Sequence, residues 1–199
     1  LDVSQNTELT TLYVGSNSLT SLDVSANTAL DDFRCYNNQL TSLDVSNNTL
    51  LNYLHTGTNQ LTDLDVSQNT ELTTLYVGSN SLTSLDVSAN TSLTLLKCPS
   101  NQLISIDVSA NIDLEILDLW NNQLATLDVN NNTALITLKA SSNDIIALDV
   151  SANTALTELY CNNNQLTYLN MKNGITDTLT TFNATNNDSL ECIETLDTT

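Results

Sequence analysis

The chain has 199 residues, of which 40% are hydrophobic and 5% aromatic, so it can bury a core and is not disordered by composition. Its 23 acidic residues outnumber its 4 basic ones, and the formal net charge of −19 disfavours binding to nucleic acid or to anionic membranes. No apolar run approaches the length of a membrane span, so we expect no insertion into a membrane.

The phrase Leu-Asp-Val-Ser recurs along the chain at multiples of 21 residues. Copies or close variants begin at Leu1, Leu22, Leu43, Leu64, Leu85, Ile106, Leu127 and Leu148. Residues 1–21 and 64–84 are identical, which indicates duplication of a block of 63 residues. A fixed period predicts a solenoid, in which successive turns stack and bury a continuous core.

Each 21-residue unit contains two extended segments. In the first segment, Leu12 and Val14 are expected to point inward while Thr11 and Tyr13 point outward, because alternate side chains of a strand face opposite sides. The Leu-Asp-Val-Ser segment has the same alternation, with its Asp pointing outward. Stacked units then place equivalent strands side by side in a parallel sheet, about 4.8 Å apart.

Asparagine recurs at two positions of the unit and forms two columns in the stack. The first column contains Asn17, Asn38, Asn59, Asn80, Asn101, Asn122, Asn143 and Asn164. The second contains Asn6, Asn27, Asn48, Asn69, Asn90, Asn111, Asn132 and Asn153. A side-chain amide both donates and accepts hydrogen bonds, so we expect each column to satisfy backbone groups where the chain turns.

The unit LxxLxVxxNxLxxLDVSxNxx resembles the nested bacterial subtype of the leucine-rich repeat. The resemblance implies a mostly β, right-handed, curved solenoid. Its parallel sheet would lie on the concave face, with short strands or turns on the convex face and little or no helix. We expect residues 1–168 to form eight regular repeats, and residues 169–199 to form an irregular ninth repeat and an incomplete C-terminal capping segment.

The last segment resembles the closing part of secreted surface proteins of Gram-negative bacteria. This resemblance implies an extracellular or cell-surface location and a role in adhesion or recognition. It does not identify a ligand, because function depends on the site rather than on the fold.

No constellation of residues for catalysis or for a cofactor is evident. The single histidine, His55, has Ser and Asp residues nearby, but these types are so frequent that a Ser-His-Asp match carries little weight. HExxH, P-loop and glycine-rich dinucleotide motifs are absent from the sequence. We therefore predict a protein that is not an enzyme and has no bound cofactor.

The four cysteines do not form a disulfide framework. Cys35, Cys98 and Cys161 occupy the inward position that Val14 fills in the first unit, and neighbours are three turns apart, about 14 Å. A disulfide requires Cα atoms within about 7 Å, so we expect three buried, reduced thiols. Cys192 lies in the tail; the family tail implies a partner cysteine further along, and free, capping and oxidised states stay open.

The outward Asp residues of the Leu-Asp-Val-Ser segments form a single line, here called the Asp file. It contains Asp2, Asp23, Asp44, Asp65, Asp86, Asp107, Asp128 and Asp149. Its regularity favours a structural device in which the hydroxyls of nearby serines donate to the carboxylates. The alternatives are a cation-binding ladder from Asp23 to Asp149 and a regular plane that binds ice or a mineral. No calcium-loop motif is present, so we predict no metal site.

The outward positions of the first segment vary from unit to unit. The central column contains Tyr13, Arg34, His55, Tyr76, Lys97, Asp118, Lys139 and Tyr160. The flanking columns include Tyr53, Leu95 and Ile116 on one side and Tyr36, Pro99, Trp120, Ser141 and Asn162 on the other. Three of the four cationic residues lie in the central column, so the variation is concentrated rather than scattered.

We predict that this variable face binds a protein or a carbohydrate, because interface hot spots are enriched in Trp, Tyr and Arg. The first candidate site centres on Trp120, the only tryptophan. Its neighbours are Lys97, Asp118, Lys139, Leu95 and Ile116. A weaker candidate near the N-terminal end consists of Arg34, Tyr36, Tyr53 and His55, and Tyr76 and Tyr160 complete the surface.

Two other interpretations stay open. The variable residues can be ordinary solvated strand positions whose aromatic side chains support the sheet by cross-strand contact. The chain would then be a passive spacer or an adhesin stalk. The near-identical units favour a stalk, whereas the variation along the central column favours recognition.

Overall fold

A computed structural model describes residues 1–196, which form a solenoid of short parallel strands without any helix. In chain order the strands are β1 (Thr11–Tyr13), β2 (Asp32–Arg34), β3 (Tyr53–His55), β4 (Thr74–Tyr76), β5 (Leu95–Lys97), β6 (Ile116–Asp118), β7 (Thr137–Lys139), β8 (Ala147–Asp149), β9 (Glu158–Tyr160), β10 (Tyr168–Met171), β11 (Thr181–Asn183) and β12 (Cys192–Thr195). Nine of them form a major sheet, and β8, β10 and β12 form a minor sheet. The predicted solenoid with its 21-residue period is confirmed.

Alternation of buried and outward side chains follows the period of the strands. The central residue of each major-sheet strand from β1 to β9 is buried, as in Leu54 or Leu117, while the residues on either side face outward; in β11, at the edge, the central Phe182 is exposed. Stacking joins these inward residues into one apolar core that extends from Val3 to Ile175. The inward positions predicted for Leu12 and Val14 are confirmed, with Leu12 buried and Val14 half-buried in the first turn.

The three repeat cysteines lie within this core. Cys35, Cys98 and Cys161 have no exposed surface, and their thiols are free. Burial raises the pKa of Cys35 and Cys161 to about 12 and also raises the pKa of Cys98, because a thiolate is poorly solvated in an apolar core. These side chains are small buried hydrophobic residues, as predicted. Cys192 is exposed.

The first asparagine column joins successive turns at one corner. Nδ2 of Asn38 donates to the carbonyl oxygen of Val14 in the preceding turn (2.9 Å) and to that of Cys35 in its own turn (3.0 Å). Oδ1 of Asn38 accepts the backbone N–H of Leu19 at 2.9 Å. Equivalent bonds recur as far as Asn164. The column therefore satisfies backbone donors and acceptors, as predicted.

The second asparagine column was also expected to donate and to accept hydrogen bonds, but its side-chain amides only donate. Nδ2 of Asn27 donates to the carbonyl oxygens of Val3 (3.0 Å) and Asn6 (2.8 Å), and this pattern repeats as far as Asn153. Among the described residues, the buried Oδ1 atoms from Asn27 to Asn153 have no hydrogen-bond partner. The expectation that this column would also accept is therefore wrong, because its carbonyl oxygens face no backbone N–H.

Every turn of the major sheet reverses direction at a residue with a left-handed backbone. These residues are Ser16, Asn37, Thr58, Ser79, Ser100, Asn121, Ser142, Asn163 and Asn186, with φ between 53° and 58°. Each stands one position before an asparagine that bonds back to the turn, as Ser16 does before Asn17. Asn tolerates this conformation best among residues with a side chain, and β-branched residues tolerate it poorly.

The opposite side of the solenoid has strands only near its C-terminal end. There β10 pairs in parallel with β8 and β12. Earlier turns keep the alternation, with Asp23 exposed and Val24 buried, but no backbone ladder forms between their Leu-Asp-Val-Ser segments. The cross-turn bonds there come from side chains instead, chiefly those of the second asparagine column, with two more from Asn47 and Asn131. This side therefore contains both of the expected forms, short strands and turns.

The last described turn departs from the regular spacing. Glu158 of β9 pairs with Thr181 of β11, a separation of 23 residues, whereas Thr137 of β7 pairs with Glu158, a separation of 21. The two additional residues lie in the connection between these strands, and the major sheet continues across it.

Candidate binding surface

Strand pairing gathers the variable residues on the outward face of the major sheet. The central column runs through adjacent strands from Tyr13 to Tyr160, in the order that the repeat predicts. Leu95 and Ile116 pair with each other in the flanking column, and both are half-buried. The contacts on this face divide it into two regions.

The first region, the aromatic cluster, lies towards the N-terminal end of the face. It consists of Tyr13, Asp32, Arg34, Tyr36, Tyr53, His55 and Tyr76. The Arg34 guanidinium lies 4.6 Å from the ring centroid of Tyr13 and 4.2 Å from that of Tyr53. It also donates to both carboxylate oxygens of Asp32, at 2.9 and 2.8 Å. The charges of Arg34 and Asp32 therefore compensate each other. The Tyr13 hydroxyl donates to the same carboxylate at 2.6 Å.

His55 is a structural member of the aromatic cluster. Its ring centroid lies 4.7 Å from that of Tyr36 and 4.9 Å from that of Tyr76. Its Nδ1 accepts the backbone N–H of Gly57 at 3.2 Å. Burial, with a smaller effect from the positive charge of Arg34, lowers the pKa of His55, which favours the neutral imidazole. No serine or aspartate side chain among the described residues hydrogen-bonds to this ring.

The second region, the tryptophan depression, lies towards the C-terminal end of the face. It is an open depression of about 380 Å³ lined by Pro99, Asp118, Trp120, Lys139, Ser141, Tyr160 and Asn162. Trp120 leaves 47% of its surface exposed. It follows β6 while Tyr160 ends β9, and β7 lies between them, so their backbones are about 9.6 Å apart at the usual strand spacing.

Polar groups of the tryptophan depression are largely free of partners within residues 1–196. One oxygen of Asp118 accepts the backbone N–H of Trp120 at 3.1 Å, which leaves the other oxygen free. Nζ of Lys139 lies 5.4 Å from the Tyr160 ring centroid and is in no ion pair. The Ser141 hydroxyl donates to Oδ1 of Asn162 at 2.6 Å, so the Asn162 amide NH₂ stays available. The depression therefore offers acceptors, donors and an aromatic face together.

The sequence predicts which residues lie near Trp120, but it does not predict which of their side chains line the depression and which turn towards the aromatic cluster. Lys97 lies outside the depression, and its Nζ is 5.3 Å from the Tyr76 ring centroid at the edge of the aromatic cluster. Asn162 lines the depression although it was not among the predicted site residues. The column position of Asn162 was the available signal, since it follows Trp120 and Ser141 in the same column.

Carboxylates of the Asp file accept hydrogen bonds from their own segments. Each accepts the backbone N–H of the residue two positions later, at 2.8 to 3.0 Å. The hydroxyl of Ser25, and then its backbone N–H, lowers the pKa of Asp23, although neighbouring carboxylates oppose this shift. The donor in each of these bonds is the backbone N–H rather than the predicted hydroxyl, and the bonds favour the structural interpretation of the Asp file.

Residues 1–196 contain no group of three His, Cys, Asp or Glu side chains arranged to hold a metal ion. The same residues include no helix of the length and apolarity needed to cross a membrane.

Solved structures with the same architecture identify the class of protein. The functional domain of InlJ from Listeria monocytogenes, which includes a cysteine ladder, has a TM-score of 0.78 and 36% identity over 98% of this chain and 48% of its own. YopM, a leucine-rich effector protein from Yersinia pestis, has a TM-score of 0.76 and 25% identity over 92% of this chain and 50% of its own. A leucine-rich-repeat protein of Leptospira interrogans has a TM-score of 0.74 and 24% identity over 91% and 56%.

The chain is therefore a leucine-rich-repeat protein, and its structural neighbours include leucine-rich-repeat proteins of bacteria. It spans about half of the length of these neighbours. No family model and no curated protein matches its sequence.

Proposed function

We propose that the chain is a non-enzymatic recognition module that binds a protein or glycan partner at a bacterial cell surface. The binding surface is the outward face of the major sheet, and its centre is the tryptophan depression. Extended sheet faces of stacked repeats are the surfaces that solenoid proteins use for binding. In the family this face is the concave one.

The observation that carries this proposal is the contrast between the two regions of the face. Arg34 and Asp32 of the aromatic cluster are bonded to each other, so little of their binding capacity is free. Lys139 and one oxygen of Asp118 have no such partner among the described residues, and Trp120 beside them is exposed. Trp and Tyr are enriched among interface hot spots, and unpaired polar groups beside them are available to bond with a partner. We therefore rank the tryptophan depression above the aromatic cluster.

The alternative function is a passive spacer or stalk. It is favoured by the identity of residues 1–21 and 64–84, since a spacer needs length rather than a specific surface. A spacer has no requirement for an exposed tryptophan in one turn only. The two functions therefore differ in whether a single surface substitution has any effect.

Binding to an array of extracellular proteins and glycans distinguishes them. For the strongest ligand of the intact chain, Trp120→Ala should weaken binding tenfold or more, about 1.4 kcal/mol, which is the low end of hot-spot effects. Ile104→Ala is the control, because Ile104 is an exposed hydrophobic residue that lies outside the strands of the major sheet. Thermal unfolding should confirm that Trp120→Ala retains the fold.

Equal binding by the two variants would place the site elsewhere. Binding of the intact chain to no ligand on the array would favour the spacer.

A further inference from the structure

We infer that the tryptophan depression binds one ring of a neutral saccharide. The inference rests on the proposed function, because it assigns a ligand class to the same site. Three properties of the depression favour a sugar over a protein loop or an acidic ligand: its size, its set of hydrogen-bonding groups and its charge.

The size of the depression suits a small ring. At about 380 Å³ it lies at the lower end of the range for small-molecule sites, about 300 to 1,000 Å³. A protein partner typically buries about 800 Å² on each side, which requires many more contacts than these lining residues provide. A single sugar ring needs only the space between Trp120 and the wall formed by Lys139 and Tyr160.

The hydrogen-bonding groups match the hydroxyls of a sugar. Every hydroxyl both donates and accepts, so neighbouring hydroxyls are best bound by a mixture of acceptors and donors. The free oxygen of Asp118 accepts, and the Lys139 ammonium and the Asn162 NH₂ donate. The exposed face of Trp120 provides the apolar surface on which the C–H side of a sugar ring can pack, while its polar hydroxyls reach the groups around it.

The charge of the molecule argues against an anionic ligand. Asp118 and Lys139 offset each other inside the depression, so the site itself carries no excess positive charge. The chain around it has a net charge of −19, which repels acidic peptides and acidic polysaccharides. A neutral saccharide avoids this repulsion and still uses both charged groups as hydrogen-bonding partners.

The intrinsic fluorescence of Trp120 tests the inference directly, because the chain has no other tryptophan. The intact chain is titrated with maltotriose, cellotriose, mannotriose and chitotriose, and with sialyllactose and poly-glutamate as acidic probes. At least one neutral trisaccharide should change the emission with a Kd on the order of 1 mM, as expected for a small ligand in an open site. Its affinity should change little between about 0.05 and 0.5 M salt, since a neutral ligand is not screened.

Variants then locate the binding. Isothermal calorimetry is used for these variants, so that loss of the fluorophore does not matter. Trp120→Ala should weaken the sugar at least tenfold, Trp120→Phe should retain most of the affinity, and Asp118→Asn and Asn162→Ala should each weaken it severalfold. Ile104→Ala, which truncates an exposed side chain outside the depression and outside the strands, should bind as the intact chain does.

Three results would overturn the saccharide inference. One is the absence of any response to the neutral sugars while Trp120→Ala still loses an array ligand, which leaves the proposed recognition function intact. Another is salt-sensitive binding of only the acidic probes. The third is sugar binding that Trp120→Ala does not affect.

Discussion

The first and fourth turns of the solenoid have identical sequences in different surroundings. Leu12 of the first turn is 8% exposed, whereas Leu75, its copy in the fourth turn, is completely buried. Tyr13 is 59% exposed, whereas its copy Tyr76 is half-buried. Because the local sequence is the same, these differences come only from the turns on either side.

The two copies also separate what a turn determines by itself from what its neighbours determine. Ser16 and Ser79 have φ values of 57° and 56°, so the backbone of the corner is a property of the turn. The contacts of the outward tyrosines are a property of the neighbours, since Tyr13 bonds to Asp32 and Tyr76 stacks on the ring at position 55. Surface chemistry in this fold therefore depends on the order of the turns and not only on their content.

The largest expected difference between the copies concerns the core. Leu75→Ala should lower the free energy of unfolding by about 2 to 5 kcal/mol, because it leaves a cavity between two packed turns. Leu12→Ala should lower it by less, because Leu12 lies in the edge strand of the described major sheet and keeps 8% of its surface exposed. Urea unfolding of both variants measures the difference. An equal or larger loss for Leu12→Ala would show that the first turn is packed as tightly as the fourth.

Removing a tyrosine hydroxyl should lower the free energy of unfolding more in the first turn than in the fourth, and by less than the leucine substitutions do. Tyr13→Phe removes the 2.6 Å bond to Asp32 and should cost about 1 kcal/mol or less, since the bond is exposed to solvent. Tyr76→Phe should cost less again, because its hydroxyl bonds to no charged group among the described residues. Thermal unfolding at neutral pH provides the comparison. A greater loss in Tyr76→Phe would contradict the view that neighbours set the role of each tyrosine.

The smallest difference is expected in the Asp file, where the copies should behave alike. The backbone N–H of Ser4 and then its hydroxyl lower the pKa of Asp2 below 3.8, and Ser67 acts on Asp65 in the same order. A lowered pKa in the folded state stabilises the fold above the ordinary value, and this contribution disappears as the pH falls through the folded pKa. The intact chain should therefore lose stability below about pH 4.

Asp2→Asn and Asp65→Asn should each reduce this acid sensitivity slightly, and Asp65→Asn by a little less, because Asp44 and Asp86 oppose the lowered pKa of Asp65. Unfolding measured from neutral to strongly acidic pH tests both statements. A clear difference between the variants would mean that the Asp file is coupled along its length rather than bonded segment by segment.

Much of the fold could be predicted from sequence because the same pattern of hydrophobic residues and asparagines recurs in every turn. The inward positions of Leu12 and Cys98, and the backbone bonds of Asn38, follow from alternation and from hydrogen-bonding capacity alone. The unpartnered Oδ1 atoms of the second asparagine column could not be predicted. The backbone N–H groups at that corner, such as those of Asn27 and Leu30, are already bonded within their own turn, which no residue type reveals.

For the candidate site, the sequence predicts which residues share a column of the sheet, but it does not predict where their side chains point. Strand order places Lys97 and Lys139 at equal distances on either side of Asp118, so a column assigns them equal roles. Side-chain direction separates them, because Lys97 leans towards Tyr76 and Lys139 towards Tyr160. Long side chains have several rotamers that differ little in energy, so packing against neighbours decides which region each one joins.

The left-handed corner residue has a consequence for how such a chain can grow during evolution. Duplicating a turn copies its corner along with its core, and a left-handed residue with a side chain costs about 1 to 2 kcal/mol. Full burial of one leucine contributes about 1.5 to 3 kcal/mol, and each interior turn buries several apolar side chains. The corner that is copied with each turn therefore costs less than the apolar burial that is copied with it. Turns with Ser or Asn at the corner are better templates than the turn with Thr58, and the identical copies carry Ser.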